Sequence, residues 1–304
     1  MTTLASDLIE STRRHLFTGQ PEKLNKLASS IGAGDTTFAL TYDVAGVQAG
    51  TVISIDLEEI FVFMVNTSTK TISDCQRGYN GSTAATHASG AVVTSQPKFS
   101  QFRILQALND DLNDLSSPSN GMFQIKSLTL TFNPVQFGYD MTGVTDIISL
   151  AELRYRLPGP TKTWPRINRY ALTRNMPTTG TFGDFPSGFG LVIYETGYPG
   201  YPIQVRYRAP FTAMTSLSTD VVAGSGLPST AVDIPPLGAA IRLVLGREVH
   251  RNFDEAQVEP RRAEEVPPQA AANSVRGLMA LRQQRIQAEA ARLTRAFSYE
   301  SVDG

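Results

Sequence analysis

The chain has 304 residues, 28 acidic and 27 basic, for a formal charge of −1, and that balance argues against nucleic acid as its main partner. Charged residues make up only 18% while Gly (24) and Pro (18) are plentiful, a mix that suits turn-rich β folds. The single cysteine, Cys75, excludes an intrachain disulfide and a Cys-based zinc site, and no apolar run approaches the roughly 20 residues that span a bilayer.

The chain opens Met-Thr-Thr-Leu-Ala-Ser-Asp, with no basic region leading into an apolar run, so no secretory signal and synthesis in the cytosol are expected. Leu4, Leu8, Ile9 and Leu16 are spaced as one helical face, Gly19-Gln20-Pro21 breaks it, and Glu22 to Ser30 reads as a second short helix. Residues 1–30 are therefore expected to be a helical segment. After Gly32-Ala33-Gly34-Asp35 the pattern switches to strands: Thr37 to Leu40, then Thr51 to Val65, then Thr71 to Ser73 and Ala91 to Thr94. The alternation of Ile53, Ile55 and Leu57 against Phe61, Phe63 and Val65 changes phase at Glu58-Glu59, which predicts a bend or bulge there. Adjacent strand residues point to opposite faces, so one of these two carboxylates is expected in solvent and an acid–base pair is unsupported. Together the strands predict a compact β-barrel-like domain over residues 31–98. Cys75 is read within it as a small buried residue.

Between the last two of these strands lies Arg77-Gly78-Tyr79-Asn80-Gly81-Ser82-Thr83-Ala84-Ala85-Thr86-His87-Ala88-Ser89-Gly90-Ala91. Asn80-Gly81 is a tight-turn signal, and Gly78 and Gly90 allow sharp bends at either end. His87 is expected to fix the connection by hydrogen bonds to the turn backbone. Arg77, Gly78, Asn80, Gly81, His87 and Gly90 are thus read as structural turn residues. The stretch resembles the R-G-x-N-G-[ST]-x-A-x-x-H-x-x-G-A segment that recurs in structural proteins of tailed bacteriophages, and the resemblance covers roughly residues 31–96. It implies a virion part. It does not choose among adaptor, tail-tube-associated and fibre-attachment proteins.

From Ser100 the helical period returns, with Phe102, Leu105, Leu108, Leu112 and Leu115 on one face and Pro118 as terminator, giving a linking helix over 99–118. Residues 119–232 are expected to form an antiparallel β-sandwich. Leu128, Leu130 and Phe132 alternate with polar residues there, as do Ile203, Val205 and Tyr207. Pro158 to Pro186, rich in Thr, Gly and Pro, reads as an extended loop or arm outside the core. Asp233 before Pro235-Pro236 starts a helix with Leu237, Ile241, Val244, Leu245 and Val249 as its stripe. After the polar linker Glu259 to Gln269, a last helix from about Ala271 to Phe297 carries Val275, Met279, Ile286, Ala290, Leu293 and Phe297 at near-heptad spacing. Residues 233–304 are thus read as C-terminal helices. The fold class is mainly β with flanking helices (α+β): a small β-barrel, an antiparallel β-sandwich, and helical N- and C-terminal segments.

No catalytic, cofactor or metal residues are expected. His15, His87 and His250 lie in separate sections, and phosphate-binding and nucleophile-elbow motifs are absent. Trp164, Tyr170, Tyr198 and Tyr201 sit in Pro/Gly-rich loops, where aromatics serve subunit contacts or stack on sugar rings. Trp164, Tyr198 and Tyr201 are read as contacts with a subunit or partner. On the last helix Arg282, Arg285, Arg292 and Arg295 are read as facing a partner's carboxylates. A helix packed on its own domain, or one touching DNA, are the other readings of that arginine face. The element order together with the resemblance implies a head–tail connector, adaptor or neck ring protein: a homo-oligomer meeting a portal and tail proteins, without enzymatic role or cofactor. Its expected location is the virion, assembled in the host cytoplasm, with no membrane contact and nucleic acid only incidental. A receptor- or carbohydrate-binding tail module is the second reading, and a hydrolase on a sandwich scaffold the third.

Overall fold

The computed structural model describes residues 2–16, 22–44, 46–144, 146–159, 163–178, 185–255 and 270–297. Among the described residues the fold is mainly β with five α-helices, an α+β arrangement. Two compact units emerge, each drawn from separated segments: Met1–Leu112, Ala213–Ser225 and Ser229–Arg285 form the first, and Asn113–Thr212, Gly226–Pro228 and Ile286–Gly304 the second.

The first unit opens with α1 (Ala5–Leu16), which buries Ala5, Leu8, Ile9 and Thr12 and leaves Leu16 only half-buried. Six strands follow: β1 (Lys23–Lys26), β2 (Phe38–Ala39), β3 (Thr51–Ile55), β4 (Glu58–Asn66), β5 (Thr71–Gln76) and β6 (Val92–Ser95). They form one antiparallel sheet in the order β1-β6-β3-β4-β5-β2. The sheet curls until its two edges meet again. Leu27 bridges Leu40, and the Ala28 and Thr41 amides donate to Ala39 and Lys26 carbonyls at 3.0 and 2.8 Å. Ile53, Ile55, Ile60, Val62, Ile72 and Val93 are fully buried inside, each worth about 1.5–3 kcal/mol of hydrophobic stabilisation.

Two expectations change here. Glu22 to Ser30 is not a helix, because β6 supplies a hydrogen-bonding partner along Lys23–Lys26 and the chain extends to meet it. Its inward residue is Asn25, whose side chain accepts from the Tyr42 amide at 3.0 Å and donates to the Tyr42 and Asp43 carbonyls. The phase change at Glu58-Glu59 marks a hairpin: β3 and β4 pair up to Ile55↔Glu58, leaving Asp56-Leu57 as a two-residue turn with Asp56 at φ 50°. The bulge comes later, where register shifts around Met64 turn both Phe63 and Met64 outward.

Ser100 caps α2 (Gln101–Leu115), its Oγ accepting from the Arg103 amide at 3.2 Å. In the first unit α2 buries Ile104, Leu105, Leu108 and Leu112. That unit also holds the short α3 (Val221–Ser225) and α4 (Ile234–Glu255), which packs on α1 and buries Ile234, Leu237, Ala240 and Ile241. The side chains of Leu245 and Val249, and the linker Glu259 to Gln269, lie outside the described residues. The final helix, α5 (Ala270–Ala296), buries Val275, Ile286 and Leu293, whereas Met279 and Phe297 of the expected stripe are partly exposed.

In the second unit β7 (Gln124–Thr131), β9 (Ser149–Tyr155) and β12 (Pro202–Ala209) form one antiparallel sheet, ordered β7-β12-β9. β8 (Tyr139–Asp140), β10 (Tyr170–Arg174) and β11 (Phe189–Ile193) form the other, ordered β10-β11-β8. Leu153, Ile203, Val205 and Tyr207 of the first sheet share a core with Tyr139 and Leu191 of the second. The expected arm 158–186 is partly core. It carries β10, buries Ile167, and sets the Phe185 ring so close to Gly190 that a Cβ there would lie 2.6 Å away.

Candidate functional site

Both carboxylates of the Glu58-Glu59 pair are buried, at 1% and 2% exposure, so the expectation that one is solvated fails. They do point to opposite sides of β4, and the stretch from Arg77 to His87 folds back to satisfy each. Arg77 meets Glu58 side-on, Nε to Oε1 at 2.7 Å and Nη2 to Oε2 at 2.8 Å. Its other donors reach the carbonyls of Gly32 (2.6 Å), Asp35 (2.9 Å) and Ala85 (2.6 Å). All five guanidinium N–H bonds are used. Glu58 accepts further from the Gly78 amide (3.0 Å), the Ala85 amide (3.1 Å) and His87 Nε2 (2.8 Å), which fills its acceptor positions.

The other His87 nitrogen, Nδ1, lies 2.9 Å from Asp56, the half-exposed residue of the β3–β4 turn. The His87 ring therefore binds two side-chain carboxylates and not the turn backbone as expected. Its own backbone pairs with Ile31, N–H to O at 3.0 Å and the reverse at 2.9 Å. Hydrogen bonds to Asp56 and then Glu58 outweigh burial and raise the imidazole pKa from 6.5 to about 9. Burial pushes the Glu58 carboxyl up, but His87, Arg77 and the two amides outweigh it and bring its pKa from 4.5 to about 2.

On the opposite side, Glu59 accepts from Asn80 Nδ2 at 2.5 Å, from the Ser100 hydroxyl, and from Arg103 Nε at 3.2 Å. The Ser82 hydroxyl accepts from the Glu59 amide (2.9 Å) and donates to the Tyr79 carbonyl (2.8 Å). To reach both acids the chain turns tightly through left-handed backbone, with Gly78 at φ 62°, Asn80 at 54° and Gly81 at 82°. Gly90 also takes positive φ, at 82°. The sequence pattern does not mark Asp56, Glu58, Glu59, Ser100 and Arg103 as members of this cluster. The available signal was two adjacent acids in an apolar strand, which once buried require cationic or N–H partners nearby.

Cys75 is buried, its thiol pushed up to about 11 by burial, and its Sγ lies 3.2 Å from the Thr36 carbonyl oxygen. His15 is exposed on α1. Among the described residues no group of three His, Cys, Asp or Glu is placed to hold a metal, and no helix is long and apolar enough to cross a membrane.

The remaining residues singled out from sequence are scattered. Tyr198 is exposed and its ring sits 6.2 Å from Tyr201 and 6.3 Å from Tyr155, while Trp164 is half-buried. Arg282 Nη2 lies 2.7 Å from buried Asp111, and Arg285 grips Asp233 at 2.8 Å, so these two arginines meet carboxylates of their own chain. Arg292 pairs with Glu289 one turn back, and Arg295 is exposed. No protein-family model and no curated protein matches the chain.

Proposed function

We propose that the chain is a non-enzymatic structural component of a tailed-phage virion, a head–tail connector or adaptor ring protein that joins portal and tail. The observation that carries this reading is the saturation of the Glu58 cluster. The residues that resemble the phage segment spend their hydrogen-bonding capacity on one another, which is the chemistry of a scaffold. The accompanying architecture is a small β-barrel followed by a β-sandwich, supported by the curled sheet meeting itself at Leu27–Leu40 and by the shared core of the two smaller sheets. Assembly with partners is supported by apolar side chains held out in solvent, among them Val135 at 91% exposure. Mass photometry of the full chain, alone and with a portal protein, tests the reading. A symmetric multi-copy species is expected, and a monomer indifferent to portal and tail proteins overturns it.

The cluster of Tyr155, Tyr198 and Tyr201, whose rings meet tilted and edge-on, favours a second reading, a carbohydrate- or receptor-binding tail module. It predicts a sugar-dependent thermal shift that a ring protein does not show.

A further inference from the structure

The second unit contains a cleft of about 920 Å³ whose walls carry Arg154, Arg166, Arg174 and Arg206, with Glu152 as their only carboxylate among its lining residues. Strand register builds this charge. Arg206 sits opposite Glu152 in the β12–β9 pair, Arg154 lies two residues along β9 on the same face, and Arg154 bridges Arg166 directly across. Like charges placed opposite one another cost stability. A single acid moderates that repulsion: Arg154 Nη2 and Arg166 Nε lie 2.8 and 2.7 Å from Glu152 Oε1, and Arg206 Nη1 lies 3.5 Å from Oε2. Burial pushes the Glu152 carboxyl up, but the three arginines outweigh it and hold it ionised below the usual range. The lining still carries four positive charges against one negative. The far wall is fixed, since Arg174 donates to the Ile147 carbonyl at 2.8 Å and stacks over Phe189.

We propose that this cleft binds an acidic peptide segment, with carboxylates taken by the arginines and apolar side chains by the surfaces between them. The carboxylate preference follows from Glu152, which already shows the guanidiniums converging on that group. The peptide preference follows from Ile125, Tyr170, Leu172 and Phe297, which line the same cleft and offer apolar contact that a phosphate backbone has no use for. The chain's net charge of −1 also supplies no long-range pull on nucleic acid. This site is independent of the virion reading.

The test is fluorescence anisotropy on the full chain at low salt with a labelled peptide of alternating Glu and Leu. The same peptide with Gln for Glu and a single-stranded oligonucleotide serve as comparison probes. Saturable binding of the Glu peptide is expected, at least about tenfold tighter than either comparison and weakened by salt. Arg154→Gln with Arg206→Gln should weaken it at least about tenfold, and Glu152→Gln, which removes the internal competitor, should tighten it. Arg166→Gln, at the most exposed of the arginines around Glu152, gives a severalfold loss and serves if the double variant does not fold. Equal binding of the Gln peptide, preference for the oligonucleotide, or indifference to every arginine substitution overturns the proposal.

Discussion

Arg77 and His87 hold Glu58 by different means, and their loss should look different. Arg77 supplies two of the bonds to Glu58 and three more to carbonyls that tie down the 32–35 and 85 segments. Arg77→Met leaves a buried carboxylate without its fork, so urea unfolding should show a loss of about 3–5 kcal/mol, with Arg77→Lys recovering only part. A loss below about 1 kcal/mol would mean that the pair contributes no more than an exposed ion pair does. His87 makes the cluster sensitive to pH. Its folded pKa of about 9 stands above the ordinary 6.5, so its contribution is whole below pH 6.5 and is lost as pH rises towards 9. Glu58 runs the other way: its contribution is whole above its ordinary 4.5 and is lost as pH falls towards about 2. Stability from the cluster should therefore plateau between about pH 4.5 and 6.5 and decline through the mild alkaline range. Urea midpoints at about pH 5.5 and 9.5 should differ in the wild type, and the difference should shrink in His87→Gln. A difference that survives the substitution unchanged would assign the alkaline decline to other groups.

At the scale of elements, legibility followed locality. β12 could be read directly because Ile203, Val205 and Tyr207 alternate with polar residues and the structure buries that set. α2 was equally plain from its apolar stripe, whereas its serine cap shows only in the structure. β1 could not be read, since Leu24 and Leu27 are also spaced for a helix and only β6, some seventy residues on, makes the segment a strand. β10 was hidden in Pro- and Gly-rich surroundings for the same reason, as its pairing comes from β11. In the site, Gly78, Asn80 and Gly81 were legible as turn residues because positive φ is a property of the residue itself. Their purpose, the enclosure of Glu58 and Glu59, depends on partners 19–44 positions away. The helices of the first unit give a further case: Asp111 on α2 is buried against Arg282 on α5, and Gly238 on α4 yields the space for its carboxylate. A Cβ at Gly238 would lie 1.8 Å from Asp111 Oδ1. Gly238→Ala should therefore cost about 1–3 kcal/mol, despite alanine's better helix propensity. Gly277 on α5 has open space where a Cβ would stand, so Gly277→Ala should be neutral or stabilise by up to about 1 kcal/mol. Thermal melts of the pair would check this, and equal effects at the two glycines would remove the packing argument.

The assembly proposed above belongs to the whole molecule, and an exposed apolar tip of the second unit is the candidate surface for it. The turn after β7 is fixed by its own hydrogen bonds: the Val135 amide donates to Asn133 Oδ1 at 3.1 Å, and the Asn133 amide to the Tyr139 hydroxyl at 2.8 Å. An ordered tip would ordinarily turn its apolar side chains inward, yet Val135 is 91% and Phe137 59% exposed, with Tyr194 at 58% on the neighbouring β11 side. Fixing the backbone in advance lowers the ordering cost of a contact, and such residues are enriched where subunits meet. Val135→Ser combined with Phe137→Ser should leave monomer stability within about 0.5 kcal/mol, because neither valine nor phenylalanine is buried in the core there. The same substitutions should reduce the multi-copy species in mass photometry, or its portal-dependent form, by a large factor. Two readouts are needed because a folding defect would also abolish assembly. Unaltered melting with lost assembly assigns the tip to a subunit or partner contact. Unaltered melting with assembly equal to wild type removes the tip from the interface, and the connector reading then has to rest on another surface.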